Sequence, residues 1–313
     1  MIMDIRALRA FVEVVRQGGF SQAAKTVFVT QSAISKSVRQ LEDEIGVPLL
    51  ERIGHNSRMT AAGEVVYARA LRILAEREDL LAELDEIRGL KRGALHLGLP
   101  PIGSNTLFAP VFAIYRKRFP GIDIRLIEQG STRLEEMLQS GELELGASLL
   151  PAAGDFDAQP VRCEPLVALL PNDHPDAHKP RITFDDLRDT PLILFEKGFA
   201  LNRILIDAAR RRKIEPVIAA RSSQIDFITE LVAAGLGVSF LPRMIAQQRP
   251  HPGLKYIELN EADTQWDMAM IWRRNGFLSH AARAWLEIVR EIYPAISPVT
   301  LSGSVAIAAK IPR

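Results

Sequence analysis

The densest set of groups able to read a base edge lies between residues 31 and 39. Gln31, Ser32, Ser35, Lys36 and Arg39 supply an amide, two hydroxyls and two cations over a stretch that reads as one helix. Glutamine can pair with adenine, arginine or lysine with guanine, and serine with several base edges or with phosphate. Interleaved with them, Ala33, Ile34, Val38, Leu41 and Ile45 recur at three- and four-residue spacing, which collects the apolar side chains on the opposite face. Thr30 is placed to cap this helix, and Gly46 with Pro48 to stop it. Just upstream, Ser21 offers an N-cap oxygen for a shorter helix through Ala23, Ala24 and Lys25, and Ser21 itself is a candidate DNA contact. Two short helices joined by a tight turn form a helix-turn-helix, whose second helix enters the major groove. A helical hairpin with a solvated outer face has the same periodicity.

A second set of polar groups sits where a small molecule would be held. Ser104-Asn105, shortly after Pro101, and Ser131-Thr132 each follow a strand-like stretch at the start of a helix. Helix N-termini present free N–H groups and the positive end of the dipole, which suits a carboxylate. The same residues serve equally well as ordinary N-caps. Phe195, Gly198 and Phe199 in the turn FEKGFAL, and Gln224 at another helix start, can line the opposite wall. The two phenylalanines can instead be core, and Lys197 can pair with an anion or be solvated.

Other chemistry finds little support. His174 and His178 lie four apart, but Pro175 denies them a regular helix and no cysteine or carboxylate cluster completes a metal site. Cys163 is the sole cysteine, which excludes an intramolecular disulfide; it reads as a small buried residue near a crossover between lobes. There is no G-x-S-x-G elbow and no Walker loop, and Gly235-x-Gly237 lacks its third glycine. No metal, cofactor or catalytic residue is expected. An enzyme would turn over a substrate without DNA; a ligand-free architectural protein would have no use for so large a second half.

The elements that must position these residues follow from the patterning. Leu8, Phe11, Val12 and Val15 form an apolar stripe on a helix beginning near Asp4 and ended by Gly18-Gly19. LLERIGHNSRMT reads as a β-wing with Gly54 and Asn56 at its tip and Arg52, His55 and Arg58 around it, cations suited to phosphate contact. His55 can equally be an exposed loop residue. Residues 1 to 60 carry eight Lys or Arg against six Asp or Glu, so positive charge has to be placed locally. From Thr60 to about Arg88 neither proline nor, after Gly63, glycine interrupts a long helix. Val66, Ile73, Leu80 and Ile87 recur every seven residues, with Tyr67, Leu74 and Leu81 beside them, the seam of a two-helix dimer or of a helix buried against its own domain. Beyond Lys91-Arg92-Gly93 strand-like and helix-like stretches alternate, predicting βα units with a largely parallel sheet in two lobes. With 39 Lys plus Arg against 38 Asp plus Glu, no signal sequence and no bilayer-length apolar run, a cytoplasmic protein without membrane attachment is expected.

These features converge on a resemblance. FVEVVRQGGFSQAAKTVFVTQSAISKSVRQLEDEIGVPLLER followed by TAAGE is similar to the winged helix-turn-helix of LysR-type transcriptional regulators, joining an AA pair, TQSAISKSVRQLE, G-x-PL-x-ER and T-x-AG at that family's spacing. Ser32 stands where the family usually has proline, and Leu50 where phenylalanine is common. More weakly, RFPGIDIRLIEQGS, LQSGELELGAS, PNDHP and VAAGLGVSFLP resemble the family's effector domain, folded like a type 2 periplasmic binding protein. The resemblance implies DNA contacts at Gln31, Ser32, Ser35, Lys36, Arg39, Arg52 and Arg58, and effector contacts at hydroxyl positions after the strands. It implies dimers through the linker helix, frequently assembled into tetramers, an inverted-repeat operator, a small-molecule effector and RNA polymerase as a partner. The expected architecture is α/β: residues 1–59 a winged helix-turn-helix, 60–90 a linker helix, and 91–293 a two-lobed effector domain. Lobe I would take about 91–162 and 266–293, lobe II about 163–265, leaving a tail at 294–313 with no assigned role.

Overall fold

Asp4 caps α1 (Ile5–Arg16), its carboxylate accepting from the Arg6 N–H, and the helix turns Leu8, Phe11, Val12 and Val14 inward. The computed structural model describes residues 4–27, 29–53, 56–87, 94–152, 154–274 and 276–294. Gly18 leaves α1 in the left-handed region, and α2 (Phe20–Thr26) begins one residue before the hydroxyl of Ser21. Its cap is therefore Gly19; Phe20 starts the helix by packing against the core, and Ser21 is exposed in the first turn. Thr30 caps α3 (Gln31–Ile45) through its side chain, and Gly46, with φ +84°, ends it. Ile34, Val38 and Leu41 are buried and Ile45 partly so, whereas Ala33 is exposed. Successive residues lie about 100° apart around a helix, so Ala33 falls outside the stripe that Ile34 begins.

The wing is an antiparallel hairpin of β1 (Leu50–Ile53) and β2 (Asn56–Met59). Gly54 and His55, assigned to its tip, lie outside the described residues, as do the side chains of Arg52 and Asn56. α4 (Ala61–Ile87) then runs 27 residues, about 40 Å at 1.5 Å per residue. Its N-terminal part closes the first core, Ala70 being buried and Val66, Tyr67 and Leu74 packing alongside. Farther along, Ile73, Leu80, Leu81 and Leu84 are exposed. The side chain of Ile87 and residues 294–313, apart from the described Pro294, lie outside the description.

The second half opens with β3 (Ala94–Leu99), α5 (Ser104–Leu107) and α6 (Ala109–Arg118). The amphipathic run from Ser104 to Phe119 predicts a single helix; Pro110 divides it because it has no N–H to return to the Thr106 carbonyl. β4 (Asp123–Glu128), α7 (Ser131–Gln139) and β5 (Leu145–Leu149) follow. β6 (Phe156–Pro171) is 16 residues long and belongs to both lobes. After it come β7 (Arg181–Ile182), β8 (Leu192–Phe195), α8 (Ala200–Arg211), β9 (Ile218–Ser222) and α9 (Ile225–Ala233). β10 (Ser239–Pro242), α10 (Arg243–Gln247), β11 (Leu254–Leu259), β12 (Gln265–Arg273) and α11 (His280–Ile292) complete the elements of the described residues.

Strands order as β4-β3-β5-β12-β6-β11-β7, with β10 also on β6 and β8-β9 as a separate pair. The largely parallel sheet is corrected to a mixed one. β3 runs parallel to β4 and β5, but β12 lies antiparallel between β5 and β6, and β10 and β11 lie antiparallel to β6. The half of β6 up to Pro165 pairs with β12, and the half from Leu166 pairs with β10 and β11, so one strand threads both lobes. A bulge at Val161, opposite Met268/Ala269, shifts its alternation: Gln159 faces inward before it, Glu164 and Leu166 after it. Cys163 is thereby turned outward and is exposed, not buried. α11 seals lobe I with Trp285 fully buried, the Tyr115 hydroxyl donating to the Ala281 carbonyl (2.9 Å).

Candidate DNA-reading face and inter-lobe cleft

α3 presents Gln31, Ser32, Lys36 and Arg39 to solvent, with Ser35 half-buried among them. Positions 32, 35, 36 and 39 share one helical face by their three- and four-residue spacing. The hydroxyl of Thr30 accepts from the Ala33 N–H (3.2 Å) and lies 3.0 Å from that of Ser32, so the cap and the polar face of the helix are joined. Arg58 is exposed on β2, directly opposite Glu51 on β1.

The base of the wing is clamped from two sides, which sequence reasoning missed. Glu42 on α3 accepts from the backbone N–H groups of Leu49 (2.7 Å) and Leu50 (3.1 Å). From the other side, Thr60, just before α4, donates its N–H to the Leu49 carbonyl (3.0 Å) and its hydroxyl to the Pro48 carbonyl (2.8 Å). The backbone of Gly63 packs so closely on the Leu49 carbonyl that a Cβ there would collide with it. A signal was present: an acid in the last turn of a helix opposes the dipole, which there favours cations, and so needs another reason to be there.

In the second half, the sites assigned to an effector fall into two groups. Thr132 donates its backbone N–H to the Gly198 carbonyl (3.1 Å), and a Cβ on Gly130 would lie 2.9 Å from that oxygen and 3.4 Å from the Phe199 ring. Gly130, Thr132, Gly198 and Phe199 thus meet across the lobes. Ser131 is buried at the start of α7, with no side-chain cap from Gly130, and Thr132 is exposed. Phe199 stacks on Phe195 (5.4 Å between ring centres), and Phe195 is fully in the core. Asn202, also missed, shapes the turn between them by bonding the N–H of Phe195 and the carbonyls of Phe195 and Glu196.

The other assigned residues bond within their own turns. The buried Ser104 hydroxyl donates to the Pro100 carbonyl, Asn105 is exposed and accepts from Thr106, and Pro101 is half-buried in the turn after β3. Gln224 is exposed, caps α9, and donates its N–H to the Ser222 hydroxyl (3.1 Å). Two further bonds tie the lobes, from Thr106 to Gln248 (2.8 Å) and from Arg203 to the Pro151 carbonyl (2.8 Å). His174 faces Thr190 and Asp176, His178 faces the Pro175 carbonyl, and among the described residues no group of His, Cys, Asp and Glu is arranged to hold a metal ion. Among those residues no helix is long and apolar enough to cross a membrane.

A winged helix-turn-helix joined by a long helix to a two-lobed α/β module is the build of a DNA-binding regulator that carries its own sensor. The model for bacterial regulatory helix-turn-helix proteins of the lysR family matches residues 5–64, and that for the LysR substrate binding domain matches residues 88–293. The chain belongs to the LysR family of transcription regulators, with a DNA-binding helix-turn-helix and an effector-binding domain. It is 35% identical over 286 residues to the HTH-type transcriptional regulator YwbI of Bacillus subtilis, covering 91% of this chain and 95% of that one. A full-length OxyR from Pseudomonas aeruginosa, solved as a point variant, is 26% identical with a TM-score of 0.66, covering 93% and 95% of the two chains. Full-length CbnR, solved in complex with its target DNA, shares the fold at a TM-score of 0.57 and 24% identity, covering 92% and 99%.

Proposed function

We propose that this regulator reads an inverted-repeat operator as a homodimer, or a pair of dimers, and that a small organic acid in the cleft between the lobes alters that reading. Base contacts fall to Gln31, Ser32, Ser35, Lys36 and Arg39, with Ser21, Arg52 and Arg58 on the flanking phosphates; α4 carries the dimer seam through Ile73, Leu80 and Ile87, while Val66, expected on that seam, packs on the chain's own core instead. Residues 1–59 form the reading unit, 60–90 the linker and 91–293 the sensor, acting in the cytoplasm on promoters served by RNA polymerase. The role is regulatory, not catalytic.

The observation that carries the effector assignment is the Thr132 N–H, which meets a carbonyl of the opposite lobe across the cleft. A carboxylate offers that donor a stronger, charge-assisted acceptor at the positive end of α7. Ser131 adds a hydroxyl, and Ser104, Asn105 and Pro101 on one side with Gly198, Phe199 and Gln224 on the other complete the walls, Phe195 backing Phe199 from the core. The test is a thermal-shift screen of organic, aromatic and amino acids, run beside Ser131→Ala. Ligand at about 100 times its Kd adds roughly 2.7 kcal/mol, enough to raise Tm by several degrees. A shift that survives in Ser131→Ala removes that residue from the site. Operator footprints of Lys36→Ala and Arg39→Ala complete the test: loss of discrimination by an intact dimer is expected, and unchanged footprints overturn the recognition-helix assignment.

A further inference from the structure

α7 touches both working parts of the molecule. Its first turn holds the Thr132 to Gly198 bond across the cleft, and its far end, about 13 Å away by helical rise, lies against the DNA-binding half. After Ser140 the chain turns at Gly141, with φ +72°, and a Cβ on Gly141 would collide with the methyl of Ala75 on α4 and come within 2.9 Å of the Ala75 Cα. Ala75 is buried there although its neighbours Glu76 and Arg77 are exposed. Next in sequence, Glu142 accepts from the Ser140 hydroxyl (2.7 Å) and pairs with Arg16 at the end of α1 (2.5 Å). Arg273 at the end of β12 reaches Glu76 from the same side (3.7 Å). Close packing on Ala75 and the Arg16–Glu142 ion pair therefore dock the end of α7 on the reading unit and its linker, with the Arg273–Glu76 pair of β12 beside them.

We propose that α7 is the coupler of this regulator. Opening of the cleft at Thr132 shifts α7, and Gly141 and Glu142 act as positioning residues that pass the shift to Ala75 on α4 and Arg16 on α1. A short, packed helix moves as a unit, so release at one end alters the contact at the other. The docked contact carries a cost that undocking relieves: among the described residues, the buried Arg16 Nε has no hydrogen-bond partner. Of the proposed function, this takes only the mobility of the cleft; it needs neither an identified ligand nor an operator.

Hydrogen exchange of the full-length, ligand-free protein tests it, with Gly130→Ala to prise open the cleft and Glu142→Gln to weaken the dock. Coupling between sites is typically five- to 150-fold. Gly130→Ala is expected to speed exchange at least fivefold in the peptide containing Thr132 and also in those spanning residues 70–77 and 12–17. By linkage, Glu142→Gln must speed exchange at Thr132 in turn. Glu291→Gln, which breaks a more exposed ion pair with Arg118 on the same lobe (2.7 Å), is expected to move neither site, and acceleration at both sites in this variant too overturns the coupling as a general loss of stability. Acceleration at Thr132 alone overturns the coupling while leaving a mobile cleft. No acceleration at Thr132 in either variant overturns the latch itself. If Gly130→Ala does not fold, the reciprocal effect of Glu142→Gln decides the matter.

Discussion

One carboxylate, Glu42, decides where the wing stands relative to the recognition helix, because it holds two successive N–H groups at the wing's root. Hydrogen bonds to a charged acceptor are worth about 1.5–3 kcal/mol each, and the site is only partly buried. Glu42→Ala is therefore expected to cost about 2–4 kcal/mol in urea unfolding of the reading unit. It should also flatten the salt dependence of binding to duplex DNA, as wing cations leave their phosphates. Glu42→Gln, which keeps an acceptor oxygen, should recover most of both. The polar stripe of α3 was legible from type and spacing, since a polar face opposite Ile34, Val38 and Leu41 follows from helical geometry alone. The supports were less so: the bonds of Glu42 and Asn202 run to backbone atoms, and backbone partners leave no side-chain signature in a sequence.

Among the elements, long helices announced themselves and strand pairing did not. α4 was legible because an uninterrupted run rich in Ala, Leu, Glu and Arg has no competing structure, while the division of α5 from α6 rested on the single residue Pro110. In the sequence only the LVALL portion of β6 reads as a strand, because the preceding stretch carries Pro160 and Pro165 and alternates imperfectly across the bulge. Its antiparallel partner β12 arrives about a hundred residues later, a pairing that local periodicity does not encode. Gly63 shows where local preference and packing disagree. Helix propensity alone favours alanine at such a position by about 1 kcal/mol. The close approach to the Leu49 carbonyl reverses the sign, so Gly63→Ala is expected to destabilise by about 1–3 kcal/mol, read as a lowered Tm of the reading unit.

At the scale of the whole molecule, α4 divides its apolar residues between two uses: Val66, Tyr67 and Leu74 complete the chain's own core, while Ile73, Leu80, Leu81 and Leu84 stay exposed. Contiguous exposed apolar surface on a long helix calls for a partner. Leu80→Glu is expected to shift sedimentation equilibrium toward monomer while leaving the helix content and the reading unit's Tm unchanged; an unaltered mass would place the dimer seam elsewhere. Lobe I, meanwhile, is finished by the last elements of the chain, since β12 fills the gap between β5 and β6 and α11 seals them. The ribosome therefore releases a complete DNA reader, with α4, long before it releases the strand that completes the sensor. At 5–20 residues per second the interval is roughly 10–40 s. Translation that stops short of Gln265 would leave a fragment able to occupy an operator and deaf to any effector, so the order of synthesis makes incomplete chains competitors of the finished protein rather than inert debris.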